Sequence, residues 1–482
     1  MYKKHLREQI KIQNDEVCFS VPINKENQWV QLAELTPWDR IEDHYINNMS
    51  QEEGRGAIPS RVAFGAIQAK EILGCTDAGI VTMITENPFL QYYLGQEGFL
   101  NKPMFNASMM SLFRRRFDPE FISQVNEYIC TGKWPEDRDE DDPPPPPSDP
   151  KEENKGTIIL DATVAPADIR YPNDVQLLDE CRENVEKLID VVWMHSDRIG
   201  HRTPYNRNKA HRKTTNFIKK KRKTKSQVRA ALGDQLEYLW LAIQQLIVLI
   251  IFVGISELSE EQLDRFELIK EIYDQQKTMF DNNTNRIEGK ILNLRQPHVR
   301  AIARNKARSK YEYGQKLALS SVDGYVYIEK QSWENFNEGN TLQQSVFNYY
   351  HRFGHFPEAV LADQIYRTKA NIKFCQKYGI RLSGPKLGRK TEEQAEQEKE
   401  QAYIDSCNRN AIESANGVLK RRYGLDLIMS VGSHNAQVEA YLQVLAMNLQ
   451  RRLRLLLSIF TKLVLDGTYL EIFRSLALRL AA

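Results

Sequence analysis

Apolar positions in the first third of the chain recur at helical spacing, in short runs bounded by Gly, Pro and capping residues. Residues 61–73 predict a helix closed by Gly74. Thr76 caps a second over 77–85, which stops before Asn87-Pro88, and Asn106 or Ser108 caps a third running through Arg114, Arg115, Arg116 and Phe117. Short helices joined by tight turns suit a helix-turn-helix module and equally a small bundle; the triple arginine points to the first. Residues 1–55 mix short extended pieces with an aromatic segment at 29–46 and predict nothing sharper.

Beyond residue 156 the period changes. Thr157–Pro166 reads as a compact apolar strand with Asp161 in its middle. Long helices follow over 175–194, Lys225–Val253 and 260–280. Residues 313–329 form two alternating runs around Asp323-Gly324, the preferred pair for a hairpin turn. A helix over 341–352 leads to an apolar strand at 357–363 that ends on Asp363. A helix at 369–378, a core strand at 379–382 and a basic loop at 383–390 come next. The polar stretch 392–401 then enters the helix 406–424, stopped by Gly424, and 436–454 is amphipathic again, with a helical tail beyond it. The pattern is mixed α/β.

Charge sharpens this outline. The net charge of +2 over 482 residues conceals strong segregation. Between Arg198 and Gly233 there are thirteen Lys or Arg and no acid, whereas from Glu136 to Glu153 nine acids face two basic residues. The basic block suggests a polyanion partner, with Arg212, Lys213, Lys219, Lys220, Lys221, Arg222 and Lys223 as its centre. The acidic stretch carries five consecutive prolines and predicts an extended, solvated interdomain linker over 134–156; an SH3-type ligand is the minor alternative. Six scattered cysteines without a CxxC pair argue for reduced thiols, against a disulfide framework or a zinc site. His195, His201 and His211 flank the basic block, but their spacing follows no common ligand pattern and suits phosphate contact or exposure. The N-terminus has no apolar stretch of signal-peptide type. The apolar run 246–253 is too short to span a bilayer and reads as part of a buried helix.

Three carboxylates occupy telling positions: Asp161 within a strand, Asp363 at a strand end and Glu413 within a helix. An Asp inside an apolar strand needs a partner or a cation, unless it sits at a solvent-facing end. Adjacent central strands bring the first two together, and a helix packed on the sheet brings the third. Hard oxygen donors so clustered select Mg²⁺ or Mn²⁺, and two such ions about 3.5–4 Å apart serve phosphodiester chemistry. On the helix, Arg409, Glu413 and Lys420 at i, i+4 and i+11 share one face, among the small residues Ala411, Ser414, Ala415 and Gly417.

With these residues in view, the chain resembles a bacterial DDE-type insertion-sequence transposase of the group with the Y-R-E-K signature. The likeness runs through 29–41, Leu73-Gly74 with Thr76-Asp77, Glu86-Asn87-Pro88 and 109–117. It continues through Asp161-Ala162-Thr163, Ala362-Asp363 with Tyr366, and 380–388. Arg409, Glu413 and Lys420 match the signature spacing Y-x₂-R-x₃-E-x₆-K. The resemblance implies an RNase H-like catalytic domain at 157–173 and 296–455, interrupted by a helical basic insertion at 174–295. It also implies an N-terminal mostly helical DNA-binding domain at 1–133 and leaves a helical tail at 456–482. Asp161, Asp363 and Glu413 become the catalytic, metal-holding triad with two Mg²⁺ or Mn²⁺ ions. Arg409 and Lys420 become contacts to DNA phosphate, a fork and a point charge respectively, where a helix-surface salt bridge is the plain alternative. Arg114, Arg115 and Arg116 join them as DNA-binding residues.

Two departures qualify the likeness. The signature tyrosine position holds Ser406, and residues 364–412 leave no room for a β-rich insertion between the second and third acids. The activity implied is binding of terminal inverted repeats, hydrolytic cleavage and joining of 3′ ends to target DNA, in the bacterial cytoplasm, by a homodimer or higher multimer that pairs two ends. An RNase H-like nuclease without strand transfer, and an inactive DNA-binding relic, are the rival readings.

Overall fold

Among the described residues, seven helices precede the first strand. The computed structural model describes residues 23–49, 56–135, 153–195, 202–303, 310–385 and 392–465. The acidic proline run, His201, the end of the basic loop and the last residues of the tail lie outside them. The aromatic segment that resisted prediction is two helices, α1 (Gln28–Leu35) and α2 (Trp38–Asn47), separated by Pro37. Next come α3 (Ser60–Leu73), closed by Gly74 at φ 62°, and α4 (Asp77–Glu86), capped by the Thr76 side chain. Asn87 then caps α5 (Pro88–Tyr93), and α6 (Met109–Arg115) and α7 (Pro119–Thr131) follow.

The chain divides into two compact units, 1–167 with 315–482, and 168–314. In the first unit, β1 (Thr157–Pro166) is central. Gly156 precedes it at φ 77°, and a Cβ there would strike the Tyr349 hydroxyl. In the second unit, α8 (Asp174–Met194), α9 (Arg207–Lys219), α10 (Lys225–Val253) and α11 (Glu260–Asp281) follow, then β2 (Arg300–Ala303), antiparallel to residues 311–314. Those residues begin β3 (Tyr311–Val322), which turns through Asp323-Gly324, both at positive φ, into β4 (Tyr325–Ser332). This is the expected hairpin, with a bulge at Ala318/Leu319.

The first unit continues with α12 (Leu342–Phe353), β5 (Ala359–Leu361), α13 (Lys369–Lys377), β6 (Arg381–Leu382), α14 (Glu392–Tyr423) and α15 (Ser433–Leu465). Its strands run β3-β1-β5-β6, with β4 on β3; β1, β5 and β6 are mutually parallel. The mixed α/β expectation is borne out. One sheet face, with Ile158, Leu160 and Val360, packs against Leu342, Val346 and Tyr349 of α12. The other shares a single core with α14, α15 and the N-terminal helices, from Trp29 through Phe121.

The second unit corrects one expectation. The run 246–253 belongs to a 29-residue helix long and apolar enough, by length and composition, to cross a membrane. Leu236, Leu239, Ile243, Leu246 and Leu249 enter the unit's core, but Ile251 and Phe252 are 76% and 83% exposed. The helix is buried on one side only, because a run of eight apolar residues wraps all round a 3.6-residue period.

Buried charge also joins α3 to α15. Lys70 Nζ lies 2.7 Å from Glu71 Oε1 and 3.3 Å from Glu439 Oε1, one cation for two buried carboxylates. Burial pushes Glu71 from its ordinary 4.5 up to about 7, with Lys70 opposing and Glu439 adding to the rise. A carboxyl whose folded value exceeds its unfolded one contributes stability that is full below the unfolded value and lost as pH rises through the folded one. Wild type should therefore lose stability between about pH 4.5 and pH 7 relative to Glu71→Gln, which has no proton to release. Denaturant midpoints for both proteins at the two ends of that window check this. Parallel losses would assign the pH dependence to another group.

Candidate active site

Strand pleating decides where Asp161 faces. Ile158 and Leu160 point to the α12 side, while Ile159 packs in the cluster that holds Ile412 and Leu419 of α14. Asp161 has the parity of Ile159 and so turns toward α14. The β1–β5 register pairs Ile159 with Leu361, and the same register continued by two residues sets Asp161 opposite Asp363, just past the end of β5. Asp363 opens the 3₁₀ turn Gln364–Tyr366 and accepts the Gln364 N–H at 2.6 Å. Ser383, just past β6, pins this end: its hydroxyl accepts from Ala362 N at 3.0 Å and donates to Ala362 O at 3.1 Å.

Helix α14 is clamped to the sheet by a fork. Arg381 of β6 donates to both oxygens of Asp405, at 2.6 and 3.0 Å, one turn before Arg409. Ile412, Leu419 and Tyr423 then form the inward stripe. Arg409, Glu413, Asn416 and Lys420, at i, i+4, i+7 and i+11, form the neighbouring one. Arg409 Nη1 lies 3.4 Å from Asp363 Oδ1, and its Nη2 3.7 Å from Glu413 Oε1. Asn416 Nδ2 donates to Asp161 Oδ2 at 2.6 Å. Strand, strand end and helix thus meet along one stripe of α14, where Arg409 joins Asp363 to Glu413 and Asn416 holds Asp161. Asn416 is the member that sequence reasoning missed, although the i+7 slot between Glu413 and Lys420 was open to reading.

The group faces solvent. Asp363 and Glu413 side chains are 67% and 59% exposed, Asp161 is half-buried, and Ser406 is exposed on α14 one turn before Arg409. Beneath the acids lies Tyr366, whose hydroxyl is held above its ordinary value by burial, with the charges of Glu338, Asp161 and Asp363 adding to the rise. The side chains are hard oxygen donors of the kind a divalent cation takes, and a guanidinium bridges Asp363 and Glu413, but the three carboxylates do not all lie within 4.8 Å of one another. The Asn416 side-chain oxygen adds a buried acceptor without a hydrogen-bond partner.

Other candidates separate. Arg114 is corrected: it is buried and its guanidinium pairs with Asp77 of α4, 3.1 Å from Oδ1, so it ties α6 to α4 instead of meeting solvent. Arg115 and Arg116 are exposed. In the second unit the basic block contains a helix of its own, α9. Arg212, Lys219, Lys220, Lys221, Arg222 and Lys223 are exposed, while Lys213 pairs with Asp234 at 3.0 Å.

His211 Nδ1 lies 2.8 Å from Glu183 Oε1 and 3.6 Å from Asp179 Oδ2. Among the described residues these three form the only group whose donor atoms all lie within 4.8 Å of one another. Sequence spacing hid it because both acids come from α8, outside the acid-free block. The buried Arg182 already pairs with Asp179 at 2.6 Å and with Glu186, and it approaches Glu183 at 3.7 Å.

Residues 360–450 match the family described as transposase DDE domain. The span begins in β5 and holds Asp363, Arg409, Glu413, Asn416 and Lys420; Asp161 lies outside it and joins through strand pairing. This match, over residues 360–450 of 482, supports the DDE-type transposase resemblance read in the sequence. A stretch of 160 residues is 26% identical to an uncharacterized protein, ORF8 of the nfe locus of Rhizobium meliloti, covering 32% of this chain and 69% of that protein. No solved structure matches the chain.

Proposed function

We propose that this chain is a DNA transposase that binds insertion-sequence ends, cleaves them by Mg²⁺- or Mn²⁺-dependent hydrolysis and joins the 3′ ends to target DNA. The observation that carries this reading is that strand register sets Asp161 opposite Asp363, while Arg409 joins Asp363 to Glu413, the last three within the family-matched span 360–450. Asp161, Asp363 and Glu413 hold the ions. When bound, two divalent ions supply an activated attacking oxygen and stabilise the leaving one. Arg409 exchanges its two carboxylate partners for phosphate oxygens of the bound strand, and Lys420 adds a second positive charge along the same stripe. The exposure of Asp363 and Glu413 lets a DNA end reach them.

The strand order, a hairpin beside a central strand and two parallel strands beyond it, supports an RNase H-like core, with the unit 168–314 as its insertion. In this reading the helices of residues 1–133 recognise the terminal repeats in helix-turn-helix manner, using Arg115 and Arg116. The basic block from Arg212 to Lys223 follows the DNA backbone. Two copies or more pair the ends, in the cytoplasm.

The test is a reaction with donor DNA carrying the element's ends, a target plasmid and Mg²⁺. Joined products support the transposase; cleaved donor without joining indicates the nuclease. Binding without cleavage indicates the relic, a reading that Ser406 in the tyrosine position leaves open and that the intact triad argues against. In the same binding reaction, neutralising Lys219–Lys223 should flatten the salt dependence, by roughly 0.9 in log–log slope per lost phosphate contact. An unchanged slope would make the block a solvated face.

A further inference from the structure

We propose that Asn416 is a positioning residue of the acidic site, orienting the Asp161 carboxylate and offering its side-chain oxygen to the same cation. The inference rests on the metal-dependent reading above and adds a residue to it. Three observations support it. Asn416 fills the i+7 slot of the stripe that carries Arg409, Glu413 and Lys420, so helical pitch alone aims it at the acids. Its amide nitrogen donates to Asp161 Oδ2 at 2.6 Å, a short charge-assisted contact across helix and strand. Its oxygen is buried and accepts no hydrogen bond.

The last point is the informative one. An amide held only as a tether would still incur the desolvation cost of its free carbonyl, which folded proteins generally avoid. The amide oxygen is thus left over beside the Asp161 carboxylate, on the helical stripe that also carries Glu413. A neutral hard oxygen in that position suits a divalent cation or the water bound to it. The amide nitrogen has the complementary task. Asp161 sits on a strand and has more than one rotamer, and the Asn416 donor on Oδ2 selects among them.

The expected behaviour differs from that of a mere helix–strand tether. Asn416→Leu, which keeps the branched shape at Cγ and removes both polar atoms, should leave the melting temperature of the metal-free chain unchanged or slightly higher. Its Mn²⁺ affinity should fall about 10- to 100-fold, the range for losing an outer-shell partner of a metal ligand. Asn416→Asp sets a second carboxylate against Asp161. Its melting temperature should fall without metal and be restored by Mn²⁺ more than that of wild type.

Mn²⁺ binding is followed by electron paramagnetic resonance on the full chain without DNA, beside thermal melts with and without the ion, so no catalytic readout is needed. Asp161→Asn serves as the control for the site itself. If Asp161→Asn weakens Mn²⁺ binding and Asn416→Leu does not, the Asn416 proposal falls and the metal-dependent reading stands. If wild type binds no Mn²⁺, or Asp161→Asn binds it as wild type does, that reading and this inference fall together. Should Asn416→Leu melt early with unaltered Mn²⁺ affinity, Asn416 is a structural tether only.

Discussion

Asp161→Asn, Asp363→Asn and Glu413→Gln should each reduce DNA cleavage at least about 100- to 1,000-fold while leaving DNA binding nearly intact. That range is what one preorganised electrostatic contact contributes to a transition state. Each change keeps the shape of the side chain and removes an ionic oxygen donor. The cost to folding should be small for structural reasons. Asp363 and Glu413 are largely exposed, and their pairs with Arg409 at 3.4 and 3.7 Å are the kind worth at most about 1 kcal/mol. Asp161→Asn keeps a polar partner for Asn416, because an amide oxygen can accept the bond that the carboxylate accepts now. The measurement pairs cleavage rates in Mg²⁺ with filter or gel binding for each variant. A variant that cleaves at close to the wild-type rate takes its residue out of the site.

Arg352→Met should lower the unfolding free energy by about 3–5 kcal/mol, the cost of stranding a buried charge. Arg352 of α12 meets Glu329 of β4 through two donors, at 2.6 and 3.2 Å, and its Nε lies 3.4 Å from Glu127 of α7. Both Arg352 and Glu329 are buried, and the Asn348 amide and the Ser320 hydroxyl also donate to Glu329. Removing the guanidinium leaves that carboxylate with neutral donors only. The double variant Arg352→Met, Glu329→Leu should recover much of the loss, since no charge is then stranded. Urea unfolding of both variants separates the causes. If the double variant is as unstable as the single, the loss lies in packing against Tyr327, over whose ring the guanidinium sits at 4.3 Å.

Much of this site was legible along the chain. Asp161 stood out because an acid in the strand Thr157–Pro166 breaks a run of apolar residues, and that strand was read with its observed bounds. The Asp323-Gly324 turn and the Gly424 stop were legible because only certain residues adopt positive φ without strain. Arg409, Glu413 and Lys420 declared themselves by helical spacing. The two N-terminal helices on either side of Pro37 were not legible, since their aromatic residues have no strong intrinsic helix preference and owe their form to the core they enter. The short strand β2 escaped for a related reason: four residues carry too little pattern to separate a strand from a loop.

Local sequence alone determined where the strongly patterned helices, strands and turns lie, which residue types carry charge, and which acids break an apolar pattern, because these depend on neighbours within a few positions. The tertiary structure decided everything that needed a partner from far along the chain. It set Asp161 opposite Asp363 through strand register, and it turned Arg114 inward to Asp77. It joined His211 to acids of another helix, and it put Asn416 against Asp161 across 255 positions of sequence. A side chain's charge is written in its residue type, but whether that charge meets an opposite one, a like one or solvent is a property of the packed chain.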